Sequence, residues 1–265
     1  MPTTINGIGT QYYGKKNPRS YDGVCDSCQR PTKLTDYETG YYFVVLFIPI
    51  IPLGKKQILG DCASCRRHRA MPLREWERIR EESLDSGLSD LADNMHDPSK
   101  AIELLDRMTV FNQMDEAYDL ATATAKQHAD DFDTQLALGS WYERQGQTAL
   151  SDKCFATAIE LQPNHPASKR IQGVDAISAG RPKDAAEHFD ALRNNVETYD
   201  PSLFYMLAMA YQSKQMHGEA LDEFQDLIQR NPGIGKDKTL RKAVKQSEKA
   251  VGKTESILPK KGLFG

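Results

Sequence analysis

Residues 132–165 read FDTQLALGSWYERQGQTALSDKCFATAIELQPNH, and this 34-residue unit recurs along the second half of the chain. Its aromatic slot returns as Phe155, Phe189 and Phe224, which lie 34 and 35 residues apart. These rings are expected to be buried as plugs between successive units. A unit of this length cannot bury its apolar face alone, so successive copies must stack on one another. The sequence therefore predicts an array of helical repeats, an architecture that offers a surface for holding other molecules.

The small residues of the unit have a packing role, because they let one helix approach its neighbour closely. Gly139 and Gly173 occupy the same slot of successive copies. The first copy is degenerate and has Ala121 where the others have phenylalanine, as expected for a terminal repeat that faces solvent on one side. With Asp200 as a one-residue insertion, the register defines four units, at residues 98–131, 132–165, 166–199 and 201–234.

The residue types and spacing of these units resemble tetratricopeptide repeats. The resemblance implies a mainly α fold, a right-handed solenoid of antiparallel helix pairs. It also implies a groove for a protein or peptide along the first helix of each pair, with a solvated spacer surface as the alternative. Only Arg170 fits the Lys, Arg and Asn clamp of the chaperone-binding members, so a chaperone tail is not the expected ligand. The groove positions in this sequence are Leu136, Ser140, Arg144, Arg170, Val174, Ile177, Tyr205, Met209 and Gln212.

Four of the five cysteines form two Cys-x-x-Cys pairs. Two such pairs are typical of a tetrahedral Cys₄ site that binds a structural Zn²⁺ ion. Protein thiolates fill all four ligand positions, which favours a metal that replaces a hydrophobic core over a catalytic one. His68 is an alternative ligand, and unrelated or redox-active thiols are the other interpretation. The predicted zinc ligands are Cys25, Cys28, Cys62 and Cys65.

The segment between the cysteine pairs predicts a small β-rich zinc ribbon, and residues 1–72 as a whole are expected to form turns and short strands. Its β-branched and aromatic residues indicate a strand over 41–48, and Pro49, Pro52 and Gly54 indicate a turn. The segment resembles small domains of uncharacterised bacterial proteins, a resemblance that brings no known activity.

The apolar run in this segment has three interpretations, because a domain of about 70 residues has little interior to absorb it. It packs on the sheet or on the following helices, it docks another protein, or it enters a membrane surface beside flanking lysines and arginines. The candidate residues for a membrane or partner patch are Phe47, Ile48, Ile50, Ile51 and Leu53.

The chain has a formal net charge of -3, but the charges are unevenly divided. Residues 1–80 contain 13 Lys and Arg and 7 Asp and Glu, whereas the remaining residues contain 21 and 30. This asymmetry indicates different partners for the two parts of the chain. A nucleic-acid-associated ribbon, with Arg66, Arg67 and Arg69 on the backbone and nearby tyrosines on the bases, is the alternative function.

The sequence predicts an intracellular protein without catalytic activity. The start lacks the features of a secretory signal, and two Cys-x-x-Cys pairs favour a reducing cytoplasm, with peripheral attachment to the inner face of the membrane as a further expectation. The histidines are scattered, and neither a nucleophile motif nor a nucleotide fingerprint is present.

Together these patterns predict a scaffold or adaptor whose repeat groove binds one partner and whose ribbon docks to another partner or to a membrane. The predicted segments are a zinc ribbon (1–72), a helical linker (73–97), four repeats (98–235), a capping helix (236–251) and a flexible tail (252–265).

Overall fold

The computed structural model describes residues 2–259 and divides into two compact units after Gln127. The first unit contains an antiparallel sheet followed by three helices, and the second contains the remaining helices. The predicted order, a β-rich region followed by helical pairs, is confirmed. The division falls four residues before the end of the first predicted repeat (98–131), so most of that repeat belongs to the unit that contains the sheet.

The sheet consists of five strands that are hydrogen-bonded in chain order, and every neighbouring pair is antiparallel. Three of the strands are 15 to 17 residues long, so the expectation of short strands was wrong. One cysteine pair lies at the turn from β2 to β3, and the other lies at the turn from β4 to β5. Because neighbouring strands are antiparallel, these two turns lie at the same end of the sheet. The strands are β1 (Thr4–Ile5), β2 (Ile8–Val24), β3 (Pro31–Val45), β4 (Ile48–Cys62) and β5 (Arg69–Pro72).

The turn between β3 and β4 lies at Leu46 and Phe47, not at the prolines that the sequence suggested. Both turn residues have positive φ angles, 49° and 63°, a combination found in tight hairpins of the type I′ class. Pro49 and Pro52 lie inside β4. They are tolerated there because β5 pairs only with residues 56–59 of β4, which leaves the proline-containing part at the edge of the sheet.

Three helices complete the first unit: α1 (Leu73–Asp93), α2 (Pro98–Val110) and α3 (Met114–Gln127). Gly87 of α1 lies so close to α2 that an added Cβ would be 2.9 Å from Leu104 Cδ1. The Arg107 side chain of α2 donates to the carbonyl of Ser83 in α1 at 3.1 Å. The predicted linker is therefore a helix packed into the first unit and is not a spacer.

The second unit continues the pairing of helices, and the pairs follow the predicted 34-residue register. Among the described residues, no helix has the length and apolar character needed to cross a membrane. The helices are α4 (Phe132–Arg144), α5 (Thr148–Leu161), α6 (Pro166–Ser178), α7 (Pro182–Arg193), α8 (Pro201–Ser213), α9 (His217–Arg230) and α10 (Lys238–Ala250), with a 3₁₀ turn at Pro232–Lys236.

Close contact between a glycine and an aromatic ring holds the two helices of each of two pairs together. A Cβ on Gly173 of α6 would be 2.1 Å from Phe189 Cε1 of α7, and a Cβ on Gly139 of α4 would be 2.5 Å from Phe155. Phe189 and Phe224 are completely buried, as predicted, but Phe155 is only half-buried. The second repeat is therefore less tightly covered by its neighbour than the third and fourth repeats.

Arg193 links α7 to α9 through a partly buried ion network. Its guanidinium donates to both carboxylate oxygens of Glu223, at 2.9 and 3.0 Å, and to Asp226 at 3.0 Å. The same group lies 4.4 Å from the centre of the Phe204 ring. Burial raises the pKa of Glu223, although Arg193 opposes the shift. Because the charges compensate one another and the ring packs on the cation, the network fixes the orientation of the two pairs.

The last described residues, 257–259, are packed, whereas the sequence suggested a flexible tail over 252–265. Leu258 is buried in the core of the second unit. The amide of Ile257 donates to the Glu248 carboxylate at 2.8 Å. The prediction of a loose tail is therefore wrong for 257–259, because Leu258 packs in the apolar core beside α10. Residues 260–265 lie outside the described residues.

We expect Gly173→Ala to lower the free energy of unfolding by about 1–3 kcal/mol, because the new methyl group would collide with the Phe189 ring. Gly218→Ala is the matched control, since Gly218 also lies in a repeat helix but has open space at the Cβ position. The control should be neutral or stabilising by up to about 1 kcal/mol. Urea denaturation followed by circular dichroism measures both effects, and equal effects would contradict the proposed contact.

Asp200, the N-cap of α8, accepts hydrogen bonds from the hydroxyl and the amide of Ser202, and these bonds lower its pKa. A lowered pKa means that the stabilisation is present above the ordinary value of about 3.9 and is lost as pH falls through the folded-state pKa. Asn caps helices as well as Asp does but does not titrate. We therefore expect Asp200→Asn to weaken the loss of thermal stability between neutral and acidic pH, measured as Tm.

Candidate metal centre and repeat cleft

The four paired cysteines meet at the end of the sheet where β2 ends and β3 begins. Cys25 follows β2, Cys62 closes β4, and Cys28 and Cys65 lie in the turns that follow them. Cys25 and Cys62 are buried and pack with Leu34 in a small cluster of their own. Each pair therefore forms one turn, and the register between β3 and β4, which pairs Leu34 with Cys62, brings the turns together.

Residues with left-handed backbone conformation close both turns. Gln29 has a φ of 54° and Arg66 has a φ of 60°, at positions where many such turns have glycine. The amide of Gln29 donates to the Cys25 carbonyl at 2.8 Å, and the amide of Arg66 donates to the Cys62 carbonyl at 2.9 Å. The two turns thus have the same geometry, although neither has the glycine that would make it easy to recognise.

The distances between the sulfur atoms fit a tetrahedral metal site. The Sγ atoms of Cys25 and Cys65 are 3.7 Å apart, and those of Cys28 and Cys62 are 3.9 Å apart. All four Sγ atoms lie within 4.8 Å of one another. Metal–sulfur bonds of about 2.3 Å give a tetrahedron with edges of about 3.8 Å. These residues can therefore hold a metal ion through four thiolates.

Backbone amides stabilise negative charge on these sulfurs. The amide of Cys65 donates to Cys62 Sγ at 3.3 Å, and the amide of Ser27 donates to Cys25 Sγ at 3.4 Å. The first of these bonds lowers the pKa of the Cys62 thiol to about 6, whereas burial and the neighbouring thiols raise the pKa of Cys65 to about 11. Cysteines bind metals as thiolates, so the amides favour the protonation state that a metal needs.

His68 takes another position beside the sheet and is not one of the four grouped ligands. Its ring packs at 5.8 Å from the Tyr12 ring, and its Nδ1 atom is 4.0 Å from an Asp61 carboxylate oxygen. The cysteine assignment from the spacing is therefore the one that the geometry fits.

A cleft of about 600 Å³ lies on the second unit, lined by α4, α5 and α6. It brings together four of the nine predicted groove residues, Leu136, Ser140, Arg170 and Val174. Phe155 also lines the cleft, in agreement with its ring being only half-buried. This aromatic position was predicted as a plug between repeats, and the structure instead gives its ring a surface that a ligand can contact.

The other five predicted groove residues do not line this cleft. Gln212 is buried, because its side-chain amide donates to the Ala243 carbonyl and to Ser247 Oγ of α10, both at 2.8 Å. Its assignment to an open groove was wrong, since the capping helix covers it. Ile177 and Tyr205 pack against the core of the last two repeats. Arg144 and Met209 are exposed.

Acidic residues on one side of the cleft were not recognised in the sequence. Glu143, Asp152 and Asp175 lie along this side. Burial and the neighbouring charges of Asp152 and Glu143 raise the pKa of Asp175. On α6, Arg170 forms an ion pair with Asp200 at 3.2 Å. The three carboxylates come from three helices, so only the folded structure shows that they are close enough to repel one another.

The apolar hairpin tip, defined here as residues 45–53, is exposed, although the first of its three interpretations placed it in the interior. The exposed fraction of its large apolar side chains ranges from 37% at Val45 to 70% at Leu46. Inside the sheet, Val44 and Ile58 are completely buried. The interpretation that the whole run packs on the sheet or on the helices is therefore wrong, and the predicted patch lies at the surface: Phe47, Ile48, Ile50, Ile51 and Leu53.

Comparison with known sequences supports the repeat register. Two segments match tetratricopeptide repeat models, residues 132–165 and residues 202–233. The first is the second predicted unit, and the second lies within the fourth. None of the curated proteins matches the chain significantly.

Several solved structures resemble the chain at low sequence identity. A tetratricopeptide repeat protein from Parabacteroides merdae is 19% identical over 65% of this chain, with a TM-score of 0.49, and the match spans 66% of that protein, just under two thirds. MamA is 13% identical over 62% of this chain and 90% of its own, with a TM-score of 0.46. YrrB, described as having an unusual peptide-binding site, is 13% identical over 64% of this chain and 95% of its own, with a TM-score of 0.46.

The matched repeats and the helix pairs in the same register define a protein with tetratricopeptide repeats. In this chain the repeats follow an antiparallel sheet whose four close cysteines fit a zinc ribbon.

We expect Cys28→Ser and Cys65→Ser each to reduce bound zinc from about one ion per chain to near zero, because a Cys₄ site needs all four thiolates. Cys154→Ser is the control. Cys154 is buried in α5, and burial raises the pKa of its thiol. Elemental analysis of the purified variants measures the metal, and cobalt substitution reports tetrahedral thiolate ligation. An unchanged zinc content in the Cys28 and Cys65 variants would contradict the assignment.

Proposed function

We propose that this protein is a non-catalytic adaptor that binds a protein or peptide in the repeat cleft and uses the zinc ribbon as a second docking module. The single observation that carries the proposal is the cleft of about 600 Å³ between α4, α5 and α6. A cleft of this volume accommodates one or two side chains of an extended or helical segment.

The lining of the cleft indicates the kind of segment that it binds. Leu136, Phe155 and Val174 offer apolar surface, whereas Asp152 and Asp175 supply negative charge on one side. Burial and the like charges of Asp152 and Glu143 raise the pKa of Asp175, and a cation from a ligand would relieve the repulsion between these charges. We propose a ligand that places an apolar side chain on the floor and a lysine or arginine beside the acidic residues.

The metal centre has a structural role in this proposal. Protein thiolates account for all four positions of a tetrahedral ion, which leaves no position for a substrate or water. Sulfur distances of 3.7 and 3.9 Å are compatible with zinc, and zinc is the metal that we propose. Four neighbouring thiols persist in a reducing compartment, so we propose a cytoplasmic location.

The nucleic-acid alternative rests on Arg66, Arg67 and Arg69. All three are exposed, but Arg69 forms an ion pair with Asp26, which reduces the positive charge available to phosphates. The alternative remains a prediction. A salt-dependent shift of DNA or RNA that disappears when these arginines are neutralised would support it.

The experiment for the cleft is a selection of displayed random peptides on the full-length, zinc-loaded protein, followed by fluorescence-polarisation titration of the enriched peptides. We expect the enriched peptides to share an apolar residue near a lysine or arginine. Val174→Glu and Asp152→Lys should each weaken binding by about tenfold or more, because they remove floor surface and reverse the charge, respectively.

Glu160→Lys is the matched control for Asp152→Lys. Both residues are exposed in α5, but Glu160 is outside the set of residues that line the cleft. The control should bind the selected peptides as the wild type does. If no peptide is enriched, or if the cleft variants and the control bind equally, the cleft is not the ligand site.

A further inference from the structure

We propose that the apolar hairpin tip inserts into the surface of an anionic lipid membrane. This inference rests on the docking role proposed for the ribbon and is independent of peptide binding in the cleft. Its first support is the size of the apolar surface at the tip. Within residues 45–53, seven large apolar side chains are exposed: Val45, Leu46, Phe47, Ile48, Ile50, Ile51 and Leu53.

The same end of the sheet gains further apolar surface from the turn between β1 and β2. Ile5 and Ile8 are paired in the register of these strands and are 79% and 51% exposed. The amide of Phe47 donates to the Gly7 carbonyl at 3.1 Å, which fastens the two turns to each other. The tip is therefore a broad apolar end made by two hairpins and is not a single protruding side chain.

Tyrosines follow the apolar end along the strands. Tyr12 of β2 pairs with Tyr41 of β3. Tyr42 of β3 pairs with Pro52 of β4, near the end of the apolar stretch that is farther from the tip. Tyr13 packs on Tyr42 with ring centres 5.8 Å apart, and its hydroxyl donates to the Phe47 carbonyl. Tyrosine favours the boundary between hydrocarbon and water, because its ring is apolar and its hydroxyl is polar.

Lysines come next along the same strands. Lys55 and Lys56 follow the apolar stretch of β4 directly, and their partners in β3 are Gly40 and Thr39. Lys16 lies at the neighbouring level of β2, opposite Glu38, and both Lys16 and Lys55 are exposed. Residues 1–21 and 39–60 contain no aspartate or glutamate. Moving away from the tip, the order is therefore apolar, aromatic and cationic, which matches acyl chains, interface and anionic headgroups.

The dimensions of the tip suit shallow insertion. The stretch from Ile48 to Leu53 extends over roughly 17 Å of strand at about 3.3 Å per residue. A tilted hairpin of this length can enter the region 5–10 Å below the headgroups, where interfacial segments bind.

The prolines favour lipid over a second protein strand as the occupant. Pro49 and Pro52 lie in the edge part of β4, beyond the residues that pair with β5. Proline has no N–H, so this edge presents fewer unpaired donors to a hydrocarbon environment. The same loss of donors opposes the addition of a strand from a partner or from a second copy.

The test is flotation of the full-length, zinc-loaded protein with vesicles of phosphatidylcholine alone and of phosphatidylcholine mixed with phosphatidylserine. We expect binding to the mixed vesicles that weakens with salt. The double variant Phe47→Ser and Ile50→Ser should bind at least about tenfold more weakly, because two exposed apolar side chains no longer enter the lipid. Lys16→Gln and Lys55→Gln should each cost about fivefold, on the anionic vesicles only.

Matched controls separate insertion from unspecific effects. Leu88→Ser replaces a leucine of α1 that is as exposed as the tip residues, and Lys33→Gln removes an exposed lysine near the metal centre. Both should bind vesicles as the wild type does. Zinc content and circular dichroism of every variant establish that the ribbon is folded. The variant Phe47→Trp should show a blue-shifted emission that brominated lipids quench.

The outcomes that contradict membrane insertion are distinct from those that contradict peptide binding in the cleft. Absence of wild-type binding to the anionic vesicles, or equal binding of the Phe47/Ile50 variant, excludes insertion of the tip. A wild-type dimer that becomes monomeric in this variant, without vesicle binding, assigns the tip to a second copy of the chain. Val174→Glu should leave vesicle binding unchanged, so a failure of peptide binding leaves this result intact.

Discussion

Four sulfur atoms at one end of the sheet determine how the first unit is built. The strands β2, β3 and β4 run 15 to 17 residues from this end, and the buried residues between them are few, with Val44 and Ile58 among them. A sheet with so small an interior needs another source of stability, and the proposed metal ligation by the four thiolates would provide it. Because the ends of the strands are fixed there, the opposite end does not need to bury its own apolar residues. The cysteines hold one end of the sheet, and the apolar hairpin tip is exposed at the other end. This arrangement is compatible with the docking role proposed for the ribbon.

The repeat array solves the same problem of limited burial by stacking. Gly173 against Phe189 brings two helices close together, and the Arg193 network joins the third pair to the fourth. The second pair lacks equivalent cover over Phe155, and the cleft lies there. The C-terminal helix covers the opposite end of the array, so that Gln212 is hydrogen-bonded inside instead of being exposed to a ligand. The cleft proposed as the interaction surface of the array thus lies where packing between repeats is incomplete.

The sequence was most informative where a local spacing determines the geometry. The 34-residue period predicted the helix pairs, and two Cys-x-x-Cys pairs predicted which sulfurs meet. It was less informative where the outcome depends on distant neighbours. The carboxylates of Asp152 and Asp175 lie on different helices, and no periodic signal connects them. Pro49 and Pro52 suggested a turn, but the left-handed residues Leu46 and Phe47 form it, because a sheet edge can accommodate proline whereas the register fixes the hairpin.

The prolines of β4 also affect the tendency of this hairpin to aggregate. The sequence from Phe47 to Leu53, FIPIIPL, is as apolar as the segments that stack into fibrils. Proline at every third position interrupts it, so that no window of six residues is free of proline, and the continuous ladder of a cross-β stack cannot form. The β4 side of the hairpin is therefore a poor template for fibrils, whereas the β3 side, which has no proline from Tyr41 to Ile48, is protected by its pairing with β2 and β4.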